Sequence, residues 1–400
     1  MVRLGESLRP LFPYLKPVYT VGTEVVAPLS VLASKIGGGG YLPTGSVQTL
    51  EEAASSSGGR SFPVRPAEEV NRAPAVGRPA GHPIFVAEAR ERIERVALAE
   101  LPRGRVLSPY SAVVTGKGDL VSEVSQYFGT WRPRQHPLYL SPFQPDPVEV
   151  PGRLGVLAFQ HGGLNYYHFV FDVLPRIAIA EQCAEIETPD RWYVPASTQD
   201  RVGLLDALGI TAEKRIDSME VTHIEAECLV VPGLAGYEQH PAWVTQFLRD
   251  RLLPPSYERV PGRYLYVTRG ASKNNRAVLN EAEVTAALEA RGFTAINPAS
   301  LTIDDEIQTF AEADIVVSAH GGALTNILFM NPGSLVIELF PASHVNPCYW
   351  KLADTVPGVD YRYLCGIGPQ REPDRTKMLV SDITVDIPAL LATVDEHASA

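Results

Sequence analysis

"DIVVSAHGGALTNILFMNPGSLVIELF", residues 314–340, decides the fold. Ile315-Val316-Val317 is a short, apolar, β-branched run and reads as a buried strand. A histidine and two glycines follow, and the apolar spacing of "GALTNILFM" (322–330) then reads as a helix. Asn331-Pro332-Gly333 stops that helix, and "SLVIELF" (334–340) reads as the next strand. A strand, a tight turn, a helix and a second strand make one unit of a doubly wound parallel sheet.

The alternation continues toward the N-terminus. "TIDDEIQTFAEA" (302–313) reads as a helix and "FTAINP" (293–298) as a short strand. Another helix begins at Asn280, which pairs with Glu283 as a capping box; Val284, Ala287 and Leu288 form its apolar stripe and Gly292 ends it. "RYLYVTR" (263–269) opens the series as a strand. These elements predict a C-terminal doubly wound domain over 254–400, after a proline-rich linker, "LPPSYERVPGR" (253–263). Residues 81–253 carry the strands "GVLAFQ", "RWYVPA" and "ECLVVPG" among helical stretches, and predict a second α/β domain. Residues 1–80 contain "GGGG" (37–40) and "SSSGGR" (55–60) and read as an N-terminal extension, partly flexible or strapped over the body.

Composition narrows the function. The chain has 400 residues, 45% hydrophobic and 20% charged, with a net charge of −11. That balance fits a globular protein and argues against a nucleic-acid binder, which needs a basic face. Cys183, Cys228, Cys348 and Cys365 are scattered without a CxxC and read as reduced core residues. No DxD, HxH or HExxH occurs, so no metal site is expected. The stretch 25–36 is apolar but interrupted by Pro28, Ser30, Ser34 and Lys35. No run approaches the roughly 18 apolar residues of a membrane span. A cytoplasmic protein is the expectation, with membrane contact at most peripheral and through the N-terminal segment.

Two constellations carry the candidate chemistry. Ligands of open α/β sheets bind beyond the carboxyl ends of strands, beside helix N-termini. Gly321 and Gly322 fall at such an end, where backbone N–H groups suit a phosphate. His320 suits a phosphate oxygen or the ordering of the loop, and Thr325 and Asn326 lie one turn on. Arg269 follows a strand, with Lys273 and Arg276 in the next loop, a cation set that suits a diphosphate. Glu338 suits ribose hydroxyls. The plainer alternatives are a tight turn with a packed histidine, a solvated basic loop and an ordinary ion pair. In "GGLNYYHFVFDVLPR" (162–176), His168 and Asp172 stand four apart and share a helix face with Asn165. Such a pair can take a proton from a sugar hydroxyl, or can simply fix packing. Arg176 is placed to reach a phosphate or carboxylate.

"NYYHFVFDVLPR", "YVTRGASKNNRAVLNE", "GFTAINP", "AEADIVVSAHGGALTN" and "NPGSLVIELFP" occur in this order. Together, over roughly 155–345, they resemble the family 61 glycosyltransferases, among them bacterial capsule-type enzymes. The resemblance implies a GT-B architecture of two Rossmann-like α/β domains facing a central cleft. It also implies inversion at the anomeric carbon, no metal cofactor, a nucleotide-sugar donor, often UDP-linked, bound by the domain over 254–400, and a glycan or other hydroxyl acceptor, with 81–253 as the acceptor-side domain. By motif, Arg269, His320, Gly321, Gly322, Thr325 and Asn326 are the implied donor-site residues, and Asn165, His168 and Asp172 match the cleft motif. Phe169 stands where the family commonly has tryptophan. Asp172 or His168 is the expected base, with Arg269, Lys273 and the 320–326 loop neutralising the leaving diphosphate. A homo-oligomer is compatible with this reading. Its rivals are another nucleotide-dependent α/β enzyme and a non-catalytic glycan- or nucleotide-binding protein.

Overall fold

A computed structural model of the chain describes residues 12–37, 39–127, 132–159, 162–163, 165–234, 238–268, 277–369 and 381–398. The protein is mixed α/β and folds as two compact units. Unit 1 comprises Met1–Pro66 and Arg95–Ala235, and unit 2 comprises Ala67–Glu94 and Gly236–Ala400.

Unit 2 is built on a six-stranded parallel sheet. Its order is Phe293–Ile296, Tyr264–Val267, Ile315–Ala319, Leu335–Phe340, Asp360–Cys365 and Val76–Arg78. Tyr266, Ile315, Val317, Ile337 and Leu339 form a core on one face. Leu265, Val316, Val336 and Phe340 are equally buried on the other. Burial on both faces is why these strands read as continuous apolar runs. Phe293–Ile296 lies outside Tyr264–Val267, and Ile315–Ala319, the next strand in sequence, lies on the other side of Tyr264–Val267. The direction of winding therefore reverses between Tyr264–Val267 and Ile315–Ala319, which opens a crevice at their carboxyl ends.

The expected boundaries differ from these units. Residues 67–94, split between the expected extension and the acceptor-side domain, belong to unit 2. There Val76–Arg78 forms the edge strand, and Phe85 packs on Tyr363 at 4.5 Å and Trp350 at 5.3 Å between ring centroids. The helix Ala242–Leu252 and the stretch 253–263 also belong to unit 2 rather than linking it to another domain. Arg259 is paired with Asp314 at 2.5 Å, and the Val260 N–H donates to the Glu312 carbonyl. The capping box at Asn280 is absent: its amide exchanges two hydrogen bonds with the backbone of Val385 at 2.9 Å each.

Unit 1 holds a ten-stranded mixed sheet. Val148–Val156 lies parallel to both Arg191–Val194 and His223–Pro232, and antiparallel strands continue the sheet beyond the latter. Residues 45–65 of the expected extension are integral to it. Gly45–Val47 pairs with Asp119–Val121, and Arg60–Arg65 pairs with Val96–Pro102. Between them the helix Leu50–Ser57 buries Leu50, Ala53 and Ala54 and is capped by Thr49. The "SSSGG" run ends this helix. Gly58 has φ 75°, the left-handed conformation that glycine adopts without steric cost.

Candidate functional site

In unit 1, Tyr166–His168 is a turn of α-helix, Phe169–Val173 is π-helical and Pro175–Gln182 is α-helical again. The cause is Pro175. It has no N–H to donate, and its ring crowds the carbonyl four residues back. The backbone answers with a wide turn in which the Leu174 N–H donates to the Phe169 carbonyl at 3.2 Å. Such π turns are frequent at functional sites. Gly162 fits under this turn because a Cβ there would overlap Val173.

Within the turn, His168 Nδ1 lies 2.6 Å from Asp172 Oδ2, and both side chains are buried. A carboxylate facing Nδ1 holds the proton on that nitrogen, which places the imidazole lone pair on Nε2. The ring meets Tyr167 edge-on at 5.2 Å and Phe159 at 6.5 Å. Asn165 shares the helix but not the pair. It is the N-cap, its Oδ1 accepting from the Tyr167 N–H at 2.9 Å.

Arg176 does not offer itself to a ligand. It is fully buried; Nε donates to the Asp172 carbonyl and Nη1 to the Pro232 carbonyl, both at 2.9 Å. Burial pushes its pKa down to about 10, with Asp172 and Glu123 opposing the shift. Its work is to fix the π turn from below with a positive charge beside Asp172.

In unit 2, the 318–330 segment begins at the carboxyl end of Ile315–Ala319, at the winding reversal. What the sequence presents as an α-helix is a 3-10 helix, Gly322–Phe329. Its far end is held by Arg249, whose Nη1 donates to the carbonyls of Leu328 at 2.6 Å and Met330 at 2.7 Å. A Cβ added to Gly322 at its near end would meet nothing within 4 Å among the described residues. The first N–H groups of a helix have no partner within it, which leaves those of Gly322 and Ala323 without one inside this helix.

The remaining expected donor residues of this segment lie beneath the loop. His320, Thr325 and Asn326 are buried. Thr325 Oγ1 has no hydrogen-bond partner among the described residues, and Asn326 Nδ2 donates to Glu306 Oε2 at 3.4 Å. Glu338, expected at the ribose, is inaccessible. Its Oε1 lies 2.5 Å from His320 Nδ1 and its Oε2 accepts from the Tyr361 hydroxyl at 2.5 Å. Burial, and then the Glu338 charge, push the Tyr361 pKa well up, so the phenol remains a donor. The His320 ring is sandwiched between Phe340 at 5.4 Å and Tyr349 at 5.3 Å. Tyr361, Glu338 and His320 thus form a buried chain that sets the angle of the glycine loop. Sequence reading missed Tyr361 and Tyr349. The available signal was the alternating aromatic pair of "DYRYLC" beside a strand with one charge in an apolar run.

Arg269, Lys273 and Arg276 lie outside the described residues. Among the described residues, no group of three or more His, Cys, Asp or Glu side chains is placed to hold a metal ion, and no helix is long and apolar enough to cross a membrane. None of the four cysteines forms a disulfide among the described residues.

Residues 166–337 match the family model described as Glycosyltransferase 61. Curated relatives carry the name protein O-linked-mannose β-1,4-N-acetylglucosaminyltransferase 2. The Mus musculus protein is 33% identical over 126 residues, which is 30% of this chain and 21% of that protein. The Canis lupus familiaris protein is 37% identical over 109 residues, 25% of this chain and 18% of that protein. The Homo sapiens protein is 33% identical over 129 residues, 30% and 22% of the two chains. The chain thus spans about a fifth of the length of these relatives. The matched segment contains His168, Asp172 and the loop 320–326, and ends one residue before Glu338.

Proposed function

We propose that the protein is an inverting glycosyltransferase of the GT-B class, transferring a sugar from a nucleotide diphosphate, UDP in our reading, to a hydroxyl of a glycan or glycoconjugate. The observation that carries this is the glycine turn at the winding reversal of the parallel sheet, within a segment that matches a glycosyltransferase family. The names of the relatives make UDP-N-acetylglucosamine the first donor to try.

In this reading the diphosphate lies over the backbone of Gly321–Ala323, with Arg269, Lys273 and Arg276 as counter-charges. The acceptor oxygen attacks the anomeric carbon from the side opposite the diphosphate. The carbon–oxygen bond to the diphosphate breaks and its electron pair leaves with the phosphate, where N–H donors and cations stabilise it. The acceptor proton passes to His168 Nε2, and Asp172 steadies the imidazolium that forms. The cations replace a metal in this scheme. The Tyr361–Glu338–His320 chain touches neither substrate and acts by positioning the loop.

Gly322→Val tests the reading directly. The added side chain meets no described residue, so the protein should melt as the wild type does, while the methyl groups occupy the proposed phosphate position. UDP affinity measured by calorimetry should fall by roughly tenfold or more, the order expected when a bound group's hydrogen bonds to charge are lost. An unchanged UDP affinity would reduce the turn to a packing feature.

A further inference from the structure

Over residues 21–37, the N-terminal helix of unit 1, Phe12–Gly37, buries one face and leaves the opposite one bare. Thr23, Ala27, Ser30 and Ser34 are buried, and Ala27 joins a core with Leu42, Leu107, Leu138 and Tyr139. On the other side, Val25, Leu29, Leu32 and Ile36 recur at helical spacing and are 69%, 66%, 55% and 80% exposed. Phe143, 65% exposed, stands beside Gly37 and extends the patch. Contiguous exposed apolar surface of this kind marks an interaction site.

The charges along the helix are mainly cationic; the exposed carboxylate nearest Phe143, Asp146, accepts from the Tyr41 hydroxyl at 2.7 Å. Between 21 and 37 the exposed charge is Lys35, and the sole carboxylate, Glu24, is engaged by Arg132 and Gln135 at 3.0 Å each. Arg132 and Arg134 are themselves exposed at the rim. The sequence before this stretch carries Arg3, Arg9 and Lys16 against Glu6 alone. A chain of net charge −11 is repelled by an anionic surface unless a cationic, apolar face is turned toward it.

We propose that this face docks on an anionic lipid surface, with the helix lying in the interface plane, its apolar stripe at the acyl boundary and Lys35, Arg132 and Arg134 at the phosphates. Pairing with a second copy fits less well. It would bring two cationic rims together, and between 21 and 37 no exposed carboxylate is available to answer them. The inference is independent of the transfer reaction proposed above.

The test is co-sedimentation of the full chain with vesicles of phosphatidylcholine alone and of phosphatidylcholine mixed with phosphatidylglycerol. The chain should bind the mixed vesicles, bind the neutral ones more weakly, and release as salt is raised. Leu29→Asp with Leu32→Asp should weaken binding by about tenfold or more, with circular dichroism and the melting temperature unchanged. Should that pair misfold, the milder Leu29→Ser should give a smaller loss in the same direction, and Lys35→Glu should erase the preference for anionic lipid. Failure of the wild type to sediment with either vesicle overturns the proposal. So does binding that ignores all three variants. So does a dimer by light scattering that the aspartates dissociate, which would make the stripe an interface between copies.

Discussion

Glu338 sits mid-strand between Ile337 and Leu339 with no access to water, and a buried carboxylate is tolerated only when its oxygens are answered. Tyr361 answers one and His320 the other, which turns a cost of burial into a fixed orientation for the residue preceding the glycine turn. Tyr361→Phe removes one hydrogen bond to a charged group and should cost about 1.5–3 kcal/mol in urea unfolding; a loss near zero would show that the carboxylate had already found other support. His168 and Asp172 invite the complementary measurement, on rate instead of stability. His168→Gln and Asp172→Asn should each lower the rate constant by about 10²–10⁴-fold. The UDP dissociation constant should hold, because the donor contacts proposed here are on the glycine turn. The double variant should be little slower than either single one, since groups acting as a unit are not additive. Near-wild-type turnover in folded variants would leave the pair a packing device. The sequence exposed these residues as candidates through type and spacing. It did not show which of them face outward, because burial of His320, Thr325 and Asn326 is decided by the strand and helix packed over them.

Elements differ in how much of their structure local sequence carries. The strands Ile315–Ala319 and Leu335–Phe340 were legible because both faces are buried and the apolar run is unbroken. The helix Leu50–Ser57 was hidden, since its serines and glycines resemble a linker until Gly58 is seen to end it. The π turn was hidden too: Pro175 announces a disturbance, and only the geometry says that it widens the turn before it. The support of the N-terminal helix offers a measurable consequence at this scale. His136 begins the short helix Pro137–Leu140, its Nδ1 accepting from the Leu138 N–H at 3.2 Å. Burial pushes its pKa from 6.5 down to about 4. Above pH 6.5 the imidazole is neutral in both states and has no pH-dependent effect. As pH falls below 6.5 the unfolded chain takes up a proton that the folded chain refuses until about pH 4, so stability is lost across that window. The loss from this group alone should approach about 3 kcal/mol, at roughly 1.4 kcal/mol per pH unit. His136→Asn keeps an acceptor for the Leu138 N–H and removes the titration. Denaturation midpoints of this variant should fall less steeply than the wild type between pH 6.5 and 4. Parallel curves would place the acid sensitivity elsewhere.

For the molecule as a whole, the sequence disclosed two α/β halves and could not disclose where they divide, because residues 67–94 complete a sheet whose other strands lie nearly two hundred residues later. Such non-local pairing leaves no mark on local pattern. The division has a thermodynamic consequence. A ligand that binds one folded unit adds free energy only to transitions in which that unit unfolds, and adds about 2.7 kcal/mol when its concentration is 100 times its dissociation constant. UDP at that excess should therefore raise the melting transition that includes unit 2. In hydrogen exchange the added protection should centre on peptides covering 318–324 and leave the sheet around Val148–Val156 unchanged. Because the proposed counter-charges are side chains and backbone N–H groups, both effects should persist in excess EDTA. NAD should produce neither, since the glycine turn lacks the spacing of a dinucleotide fingerprint. A UDP effect that vanishes with EDTA and returns with Mn²⁺ would place a cation at the diphosphate and overturn the metal-free scheme while leaving the donor site where it is. Protection centred away from 318–324 would move the donor site itself.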